Sequence, residues 1–488
     1  MAIITTPLKL ESFNNRFGAK ILTPHTRVRA TIYPQPNDLV FRGRSTEKIV
    51  GSWIAEESPD ITVRSMRWQK QLGTASGQWT VVLKEKPKGK SSMVDGTILP
   101  DDWVEIEMMR NGVIFPICTG IVKTAFRRQT TVGGATVTLW DMTGVDHGGL
   151  AEFPITFQNL FLRTLSELVK GLFTERIRGK IGGSPAEMFE VLIRATFSPG
   201  TQTSPWTLPP SLRARHQQSV TGFLDLLKLQ LDETRGAYHN EIKLWTQPGE
   251  NLYQTIKDWC NPLLNEFIWD VDPDSGIPTA TIRERPFPLT EHGLDSPWFD
   301  MPMTEIPKWA VKDVQVGRSS AERFNLFQLV ADPGLGLTDS EQIASSPPLW
   351  SRKSIEQFGI RSMQEKTKYI QFGDDEQQGG WIEERDRQQT AIRDWHALNP
   401  WFLSGTIPVP WAAPEVRVGT RLRLTEGNES TDETYYVEGV GLDYTASEGA
   451  SAPHRAQSTF SVTRGWRGSD TSLITALLDV TGEFQRAI

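Results

Sequence analysis

Histidine is the side chain best suited to moving protons or holding a metal near neutral pH. This chain of 488 residues has seven: His25, His147, His216, His239, His292, His396 and His454. No two stand in His-x-x-x-His spacing, so zinc of the usual kinds is not expected. Asp141 and Asp146 lie close to His147 and could form a metal or acid–base cluster. They sit where a strand gives way to a Gly-rich turn, and carboxylates there commonly accept backbone N–H groups instead. Gly334-Leu-Gly336 lacks the strand–loop–helix context that cradles a phosphate, and Gly-x-Ser-x-Gly is absent. Glu383, Glu384 and Asp386, interleaved with Arg385 and Arg387, read as a solvated helix face. A glycosidase pair of carboxylates is defined by spatial separation, which spacing along the chain does not supply. The expectation is therefore no catalytic, metal or cofactor-binding residue, and no cofactor.

Composition narrows the class. Hydrophobic content of 38% and charged content of 23% fit a soluble globular protein, and 488 residues exceed one core, suggesting about three to four domains. No apolar run reaches the roughly 18 residues of a membrane span, so no membrane insertion is expected. The first residues lack the basic-then-apolar pattern of a secretory leader. Cys118 and Cys260 read as reduced, buried thiols. A net charge of −7 argues against a nucleic-acid clamp, which would gather Lys and Arg against phosphates. The basic loop Lys84-Glu-Lys-Pro-Lys-Gly-Lys90 reads either as a solvated hairpin tip or as a contact for phosphate or an acidic partner. Seventeen tryptophans supply anchors for cores and interfaces.

The elements that would position these residues are mainly strands. Residues 405–466 read as one small antiparallel β-barrel. Gly405-Thr-Ile-Pro-Val-Pro-Trp411 is held extended by its prolines. Glu415-Val-Arg-Val-Gly-Thr-Arg-Leu-Arg-Leu424 alternates as a half-buried strand does. Tyr435-Tyr-Val-Glu-Gly-Val440 and Ser458-Thr-Phe-Ser-Val-Thr-Arg464 complete a meander. A second copy lies earlier: Asp102-Trp-Val-Glu-Ile-Glu-Met108, Phe115-Pro-Ile-Cys-Thr-Gly-Ile-Val122 and Ala135-Thr-Val-Thr-Leu-Trp-Asp141 match those strands in order. Alternation puts Glu105, Glu107, Thr136 and Thr138 on the non-core side of the first copy. In the second, Arg421, Arg423, Ser461 and Thr463 take that side.

Four regions follow. Residues 1–150 form a first barrel, with strands expected at 27–33, 49–54, 61–68 and 79–83. Residues 151–300 form an α/β middle. Its helices are marked by the apolar repeat from Phe157 to Leu172, the capping box Ser184-Pro-Ala-Glu187, residues 220–231, and a helix capped by Asn251. Its strands are 266–271 and 279–285. Residues 301–470 form the second barrel, with strands resuming over 309–330, a Gly/Ser/Pro loop at 333–348, and a helical insertion near 350–400, its main helix at 380–398. Residues 471–488 are an apolar tail that packs on its own chain or docks on a neighbour. The fold class is mainly β, two antiparallel barrels joined by mixed helical and strand domains.

Five segments carry a resemblance: Leu264-Asn-Glu-Phe-Ile-Trp-Asp270 with Ile282-Arg-Glu-Arg-Pro-Phe287; Arg318-Ser-Ser-Ala-Glu-Arg-Phe-Asn-Leu-Phe327; Ser354-Ile-Glu-Gln-Phe-Gly-Ile-Arg361; residues 405–419; and Tyr435 to Val440 with Phe460-Ser-Val-Thr-Arg-Gly465. In order and spacing the chain resembles the central baseplate hub proteins of contractile-tailed bacteriophages, related to the hub part of type VI secretion spike proteins. The resemblance covers residues 250–466 well, the first 150 by barrel pattern, and 150–250 weakly. It implies two tube-like barrels per chain and a homotrimer presenting six similar edges to a hexameric tail-tube (or tube-initiator) ring. The other face would accept a trimeric spike and neighbouring baseplate proteins, and the channel would pass tape measure and DNA. Location in the virion tail baseplate, after assembly in the host cytoplasm, follows from the same resemblance. Two alternatives remain at this point: a hydrolase acting on the cell wall, and a peripheral receptor-binding tail protein. The latter gains nothing from six quasi-equivalent edges.

Overall fold

The computed structural model of the chain describes residues 26–35, 47–51, 61–85, 98–132, 135–153, 184–197, 207–216, 222–234, 251–286, 297–311, 313–331, 347–367, 378–447, 454–470 and 484–486. The expected arm at 1–24, the 157–172 helix, Lys86 to Lys90, most of the 333–348 loop and residues 471–483 lie outside these.

Seven strands open the chain: β1 (Thr26–Tyr33), β2 (Ile49–Gly51), β3 (Ile61–Gln71), β4 (Gln78–Glu85), β5 (Trp103–Arg110), β6 (Val113–Val132) and β7 (Ala135–Asp146). The order in space is β3-β4-β7-β6-β5-β1-β2, with every pair antiparallel. Alternation drives it: Val28, Ala30 and Ile32 on β1, and Met66 and Trp68 on β3, are buried in one core.

The middle carries the helices Pro185–Phe197, Pro210–Arg215, Phe223–Leu226 and Leu252–Trp259 and a three-stranded sheet of β8 (Lys228–Leu231), β9 (Asn265–Val271) and β10 (Pro278–Glu284). The expected capping box forms, with Ser184 Oγ accepting from Glu187 N and Glu187 Oε2 accepting from Ser184 N, both at 3.3 Å. Asn251 caps its helix through Gln254 N at 2.8 Å. The helix expected over 220–231 is corrected. Among the described residues of that span Phe223–Leu226 is helical, and Lys228-Leu-Gln-Leu231, which alternates with a period of two, becomes β8 beside β10.

Next come β11 (Met303–Pro307) and β12 (Gln315–Gly317). An inserted unit follows, with β13 (Leu326–Ala331), β14 (Leu349–Ser351), β15 (Ser362–Thr367) and the helices Arg352–Phe358 and Gln378–His396. The insertion is thus a small sheet with a helix across it, richer in strand than the expected helical excursion. The chain returns through β16 (Leu403–Val409), β17 (Arg421–Thr425), β18 (Glu433–Thr445) and β19 (Arg455–Arg467). A last strand, β20 (Phe484–Arg486), pairs with β14 of its own chain. The strand expected from Glu415 begins only at Arg421. Gly419 there takes φ +73°, a left-handed corner that ends any extended run.

The second strand set is ordered β12-β16-β19-β18-β17-β11. Matching β11 to β1, β12 to β3, and β16 through β19 to β4 through β7 reproduces the first set without β2. Local detail agrees. Val122 donates to Asp102 O and accepts from Asp101 N, while Val437 donates to Thr420 O and accepts from Gly419 N. Asp101 (φ +68°) and Gly419 (φ +73°) both turn left-handed at that corner. The register slips by one residue just beyond, between Val122 and Thr124 and between Val437 and Gly439. One strand differs in sense: β11 runs parallel to β17, whereas β1 is antiparallel to β5.

Two closed barrels are not what the described residues form. β1 and β2 pack back against β3 without a hydrogen-bonded ladder, because β3 spends its outer edge on β18. The two sets are therefore joined edge to edge in one 13-stranded sheet. A single apolar core runs through both, from Trp68, Trp79 and Met142 to Leu422, Tyr435 and Phe460.

Candidate functional site: the polar face across the seam

The seam pairs Gly439 to Thr445 of β18 with Gln71 to Ser65 of β3. Val440, Leu442 and Tyr444 face the core with Met66 and Trp68. By alternation Gly439, Gly441 and Asp443 face the other way, beside Arg67, Gln69 and Gln71. Neighbouring strands extend this face: Gln78 and Thr80 on β4, Asp141 and Thr143 on β7, Thr124 and Arg128 on β6, Thr459 and Ser461 on β19, Thr406 on β16.

Its chemistry is mainly amide and hydroxyl, with the exposed Phe126 between Thr124 and Arg128. A groove of 330 Å³ at the seam is lined by Gln69, Gln71, Gln78, Gly441, Thr459 and Ser461 among others. Thr124 and Thr143 hydroxyls share a hydrogen bond of 2.7 Å. Two opposed charge pairs lie on the face, Arg67–Asp443 at 3.5 Å and Arg128–Asp141 at 3.0 Å, and alternation places Lys84 on β4 and Arg455 on β19 there as well. Such a surface offers weak contacts that water can replace.

Buried ion pairs hold the frame. Lys70, buried beside the seam, donates to Asp146 at 2.8 Å and to Ala75 O at 2.6 Å. Burial pushes the Asp146 carboxyl above its usual range, opposed by Lys70 and by the Gly77 and Gly148 N–H groups. Arg417 joins three regions, reaching Asp270 on β9 at 3.3 Å, Ile117 O on β6 at 3.2 Å, and Pro116 O. Arg283 on β10 bonds Glu266 at 3.0 Å, Gly419 O at 2.7 Å and the Tyr436 hydroxyl at 3.3 Å.

The residues singled out from sequence are dispersed. Asp141 lies on the open face with Arg128, whereas Asp146 caps the 3-10 turn His147–Ala151 and His147 is fully buried, 3.0 Å from Thr279 O. Burial pushes the His147 imidazole down to about 4, so it is neutral at pH 7. Glu105 and Glu107 leave the apolar side as expected but do not reach an open face. They are buried against the helix Pro210–Arg215, with Arg215 at 2.6 and 2.7 Å, His216 at 2.9 Å from Glu105, Arg29 at 2.6 Å from Glu107, and Tyr33 on Glu105. Thr136 and Thr138 are corrected. They share the face of Trp140 and Met142, both core residues, because the β6–β7 hairpin runs on beyond the core. Arg421 bonds Met301 O at 2.9 Å and Arg423 bonds Asp432 at 2.7 Å, so both serve the β11–β17 end. Ser461 lines the seam groove and Thr463 bonds Glu438 at 2.8 Å. Cys118 and Cys260 are buried free thiols, pushed up by that burial. Among the described residues no His, Cys, Asp and Glu group forms a metal cluster. Gly334 and Gly336, and the side chains of Glu383, Glu384 and Arg385, lie outside the described residues.

The chain is similar at low identity to solved structures of phage tail proteins and of type VI secretion proteins. A tail protein from Neisseria meningitidis is 11% identical, with 90% of this chain and 96% of that one covered at a TM-score of 0.46. A 43 kDa tail protein of prophage MuSo2 from Shewanella oneidensis is 9% identical, with 89% and 98% covered at 0.45. A type VI secretion component from E. coli is 10% identical, with 83% and 76% covered at 0.37. No family model matches the chain, and no curated protein matches it.

The seam itself escaped the sequence reading. Its trace is there: Gly439-Val-Gly-Leu-Asp-Tyr444 and Arg67-Trp-Gln-Lys-Gln71 both alternate, with glycine, amide or charged side chains on one side.

Proposed function

We propose that the chain is a structural, non-enzymatic hub at the centre of a phage tail baseplate. It acts as a homotrimer that adapts a sixfold tail-tube ring to a threefold spike. Each strand set serves as one tube-like unit, so three chains present six similar units. The observation that carries this reading is the same strand order, corner and register slip occurring twice in one chain. A threefold object offers six quasi-equivalent edges only if each chain supplies two. The resemblance over residues 250–466 supplies the tail context.

In this reading the polar face of the seam lines the channel for tape measure and DNA. Its side chains are mostly amides, hydroxyls and paired charges, and the few other cations such as Lys84 and Arg455 are spread apart, so a polyanion can pass without being firmly held. The Glu105–Glu107–Arg215 cluster and the Arg417 and Arg283 bridges instead brace the two units on the α/β middle.

Light scattering on the purified full chain tests the stoichiometry. A mass three times 54.9 kDa agrees with the hub, and 54.9 kDa at the highest workable concentration contradicts it.

A further inference from the structure

The internal repeat breaks at one residue. Against β18, β19 pairs Thr463 with Tyr436 and Trp466 with Thr434, so a bulge falls at Arg464 and Gly465. The matching stretch of the first set, Ile121 and Gly120 against Val145 and Asp146, stays in step. Arg464 takes φ +51°, a left-handed conformation that is costly for a residue with a Cβ and persists only where its surroundings hold it. The bulge delivers a cation into the interior: Arg464 is 6% exposed.

What it meets there is more positive charge. The Arg464 guanidinium lies 3.6 Å from the ring centre of Trp395, and that of Arg285, just past β10, stands 5.6 Å from the same ring. His396 is the next residue and ends the helix Gln378–His396. Burial, reinforced by Arg464 and Arg285, pushes its imidazole down to about 3. Burial also pushes Arg464 down to about 9, against the pull of Glu438 and Glu322 and with Arg285 repelling it.

Counter-charge is missing. Among the described residues neither arginine forms an ion pair, and the Nε atoms of both are buried without a hydrogen-bond partner. Arg464 donates from Nη1 to Asn399 Oδ1 at 2.8 Å, which fixes the fork but supplies no charge. The two carboxylates that act on Arg464 are engaged by neutral donors, Glu438 by Thr463 at 2.8 Å and Glu322 by Asn399 at 3.3 Å. Asp394 is taken by Arg393 at 2.6 Å. The faces of Trp395 and Phe402 and the carbonyl end of the helix offer only partial negative charge.

We propose that Arg464 and Arg285, beside His396, form a receptor for one small oxyanion, a carboxylate or a phosphate group. A guanidinium presents its N–H groups as a planar fork that matches two oxygens of such a group, and two forks at one indole ring supply the charge that the interior lacks. The site is independent of the number of chains in the assembly.

The test is anion binding by the full-length chain, read by calorimetry and by the thermal unfolding midpoint in sodium phosphate, sodium acetate and sodium chloride at equal ionic strength. Phosphate or acetate is expected to raise the midpoint above its chloride value. A rise with phosphate alone assigns a phosphate group, a rise with acetate alone a carboxylate, and a rise with both a general oxyanion site. Arg285→Gln, at a partly exposed position, is expected to weaken binding about tenfold or more with unchanged circular dichroism. That variant also subtracts the general salting effect of phosphate, and it carries the test alone if Arg464→Gln does not fold. An anion bound beside His396 favours the imidazolium, so its titration, followed by NMR, should begin at higher pH with the anion present. Arginines that merely stack on Trp395 would leave it unmoved. Equal midpoints in the three salts, or a rise undiminished in Arg285→Gln, overturns the site.

Discussion

Arg67 on β3 and Asp443 on β18 form an ion pair at 3.5 Å across the seam between the two strand sets, with side chains 62% and 38% exposed. Exposed pairs of this kind are screened and contribute little, so an Arg67→Ala/Asp443→Ala double-mutant cycle is expected to give a coupling of about 0.2–1 kcal/mol. Leu442, 1% exposed between them and the core, should matter more: Leu442→Ala is expected to cost about 2–5 kcal/mol in denaturant unfolding. The seam is held by packing and ladder bonds rather than by the charge pair.

The Lys70–Asp146 pair is a different case, since both side chains are under 5% exposed. Asp146→Asn leaves a buried ammonium without its counter-charge, and Gly77 and Gly148 lose a charged acceptor. The expected loss is about 3–5 kcal/mol, read from the shift in denaturation midpoint. Combining it with Lys70→Met should recover part of that loss.

Stability should fall in mild acid, and His147 supplies part of the reason. Its native imidazole titrates near 4, below the ordinary 6.5, because burial disfavours the cation. Between those values the unfolded chain binds a proton that the native chain does not. The contribution is therefore complete above pH 6.5 and is lost as pH falls toward 4, a change of about 3 kcal/mol. His147→Gln, which can still donate to Thr279 O, is expected to flatten the dependence of the unfolding midpoint over that window. An unchanged slope would assign the acid sensitivity elsewhere.

Gly405 should be intolerant. A Cβ there would lie 1.9 Å from Gln315 O, and the φ of +150° is unfavourable for other residues. Gly405→Ala is expected to displace β12 from β16, seen as faster amide exchange at residues 315–317 with little change in β3 and β4.

The polar face can be recharged. Replacing Gln69, Gln71 and Gln78 by lysine adds unopposed cations beside the groove. The variant is expected to bind duplex DNA at about 50 mM salt and release it steeply by 200 mM, whereas the natural chain should not be retained at either. Retention of the natural chain would argue against a channel surface that lets DNA pass.

How much of this was legible in the residues depends on the range of the interaction. The meanders at 102–141 and 405–464 announce themselves by alternation, and Ser184, Glu187 and Asn251 by the local geometry of helix capping. Lys228-Leu-Gln-Leu231 was misread because four residues beside a helical turn carry too short a pattern to separate period two from 3.6. Glu105 and Glu107 were placed on the correct side of β5, but what covers that side, Arg215 and His216, lies about a hundred residues away. The seam is less visible still: Gln69 and Gly441 meet across some 370 residues, and neither residue type signals a partner.

End-on images of the isolated full-length protein by electron cryomicroscopy test the central claim most directly. The account predicts a closed ring of six similar density units built from three chains. Particles with a single pair of units and no threefold axis would contradict it.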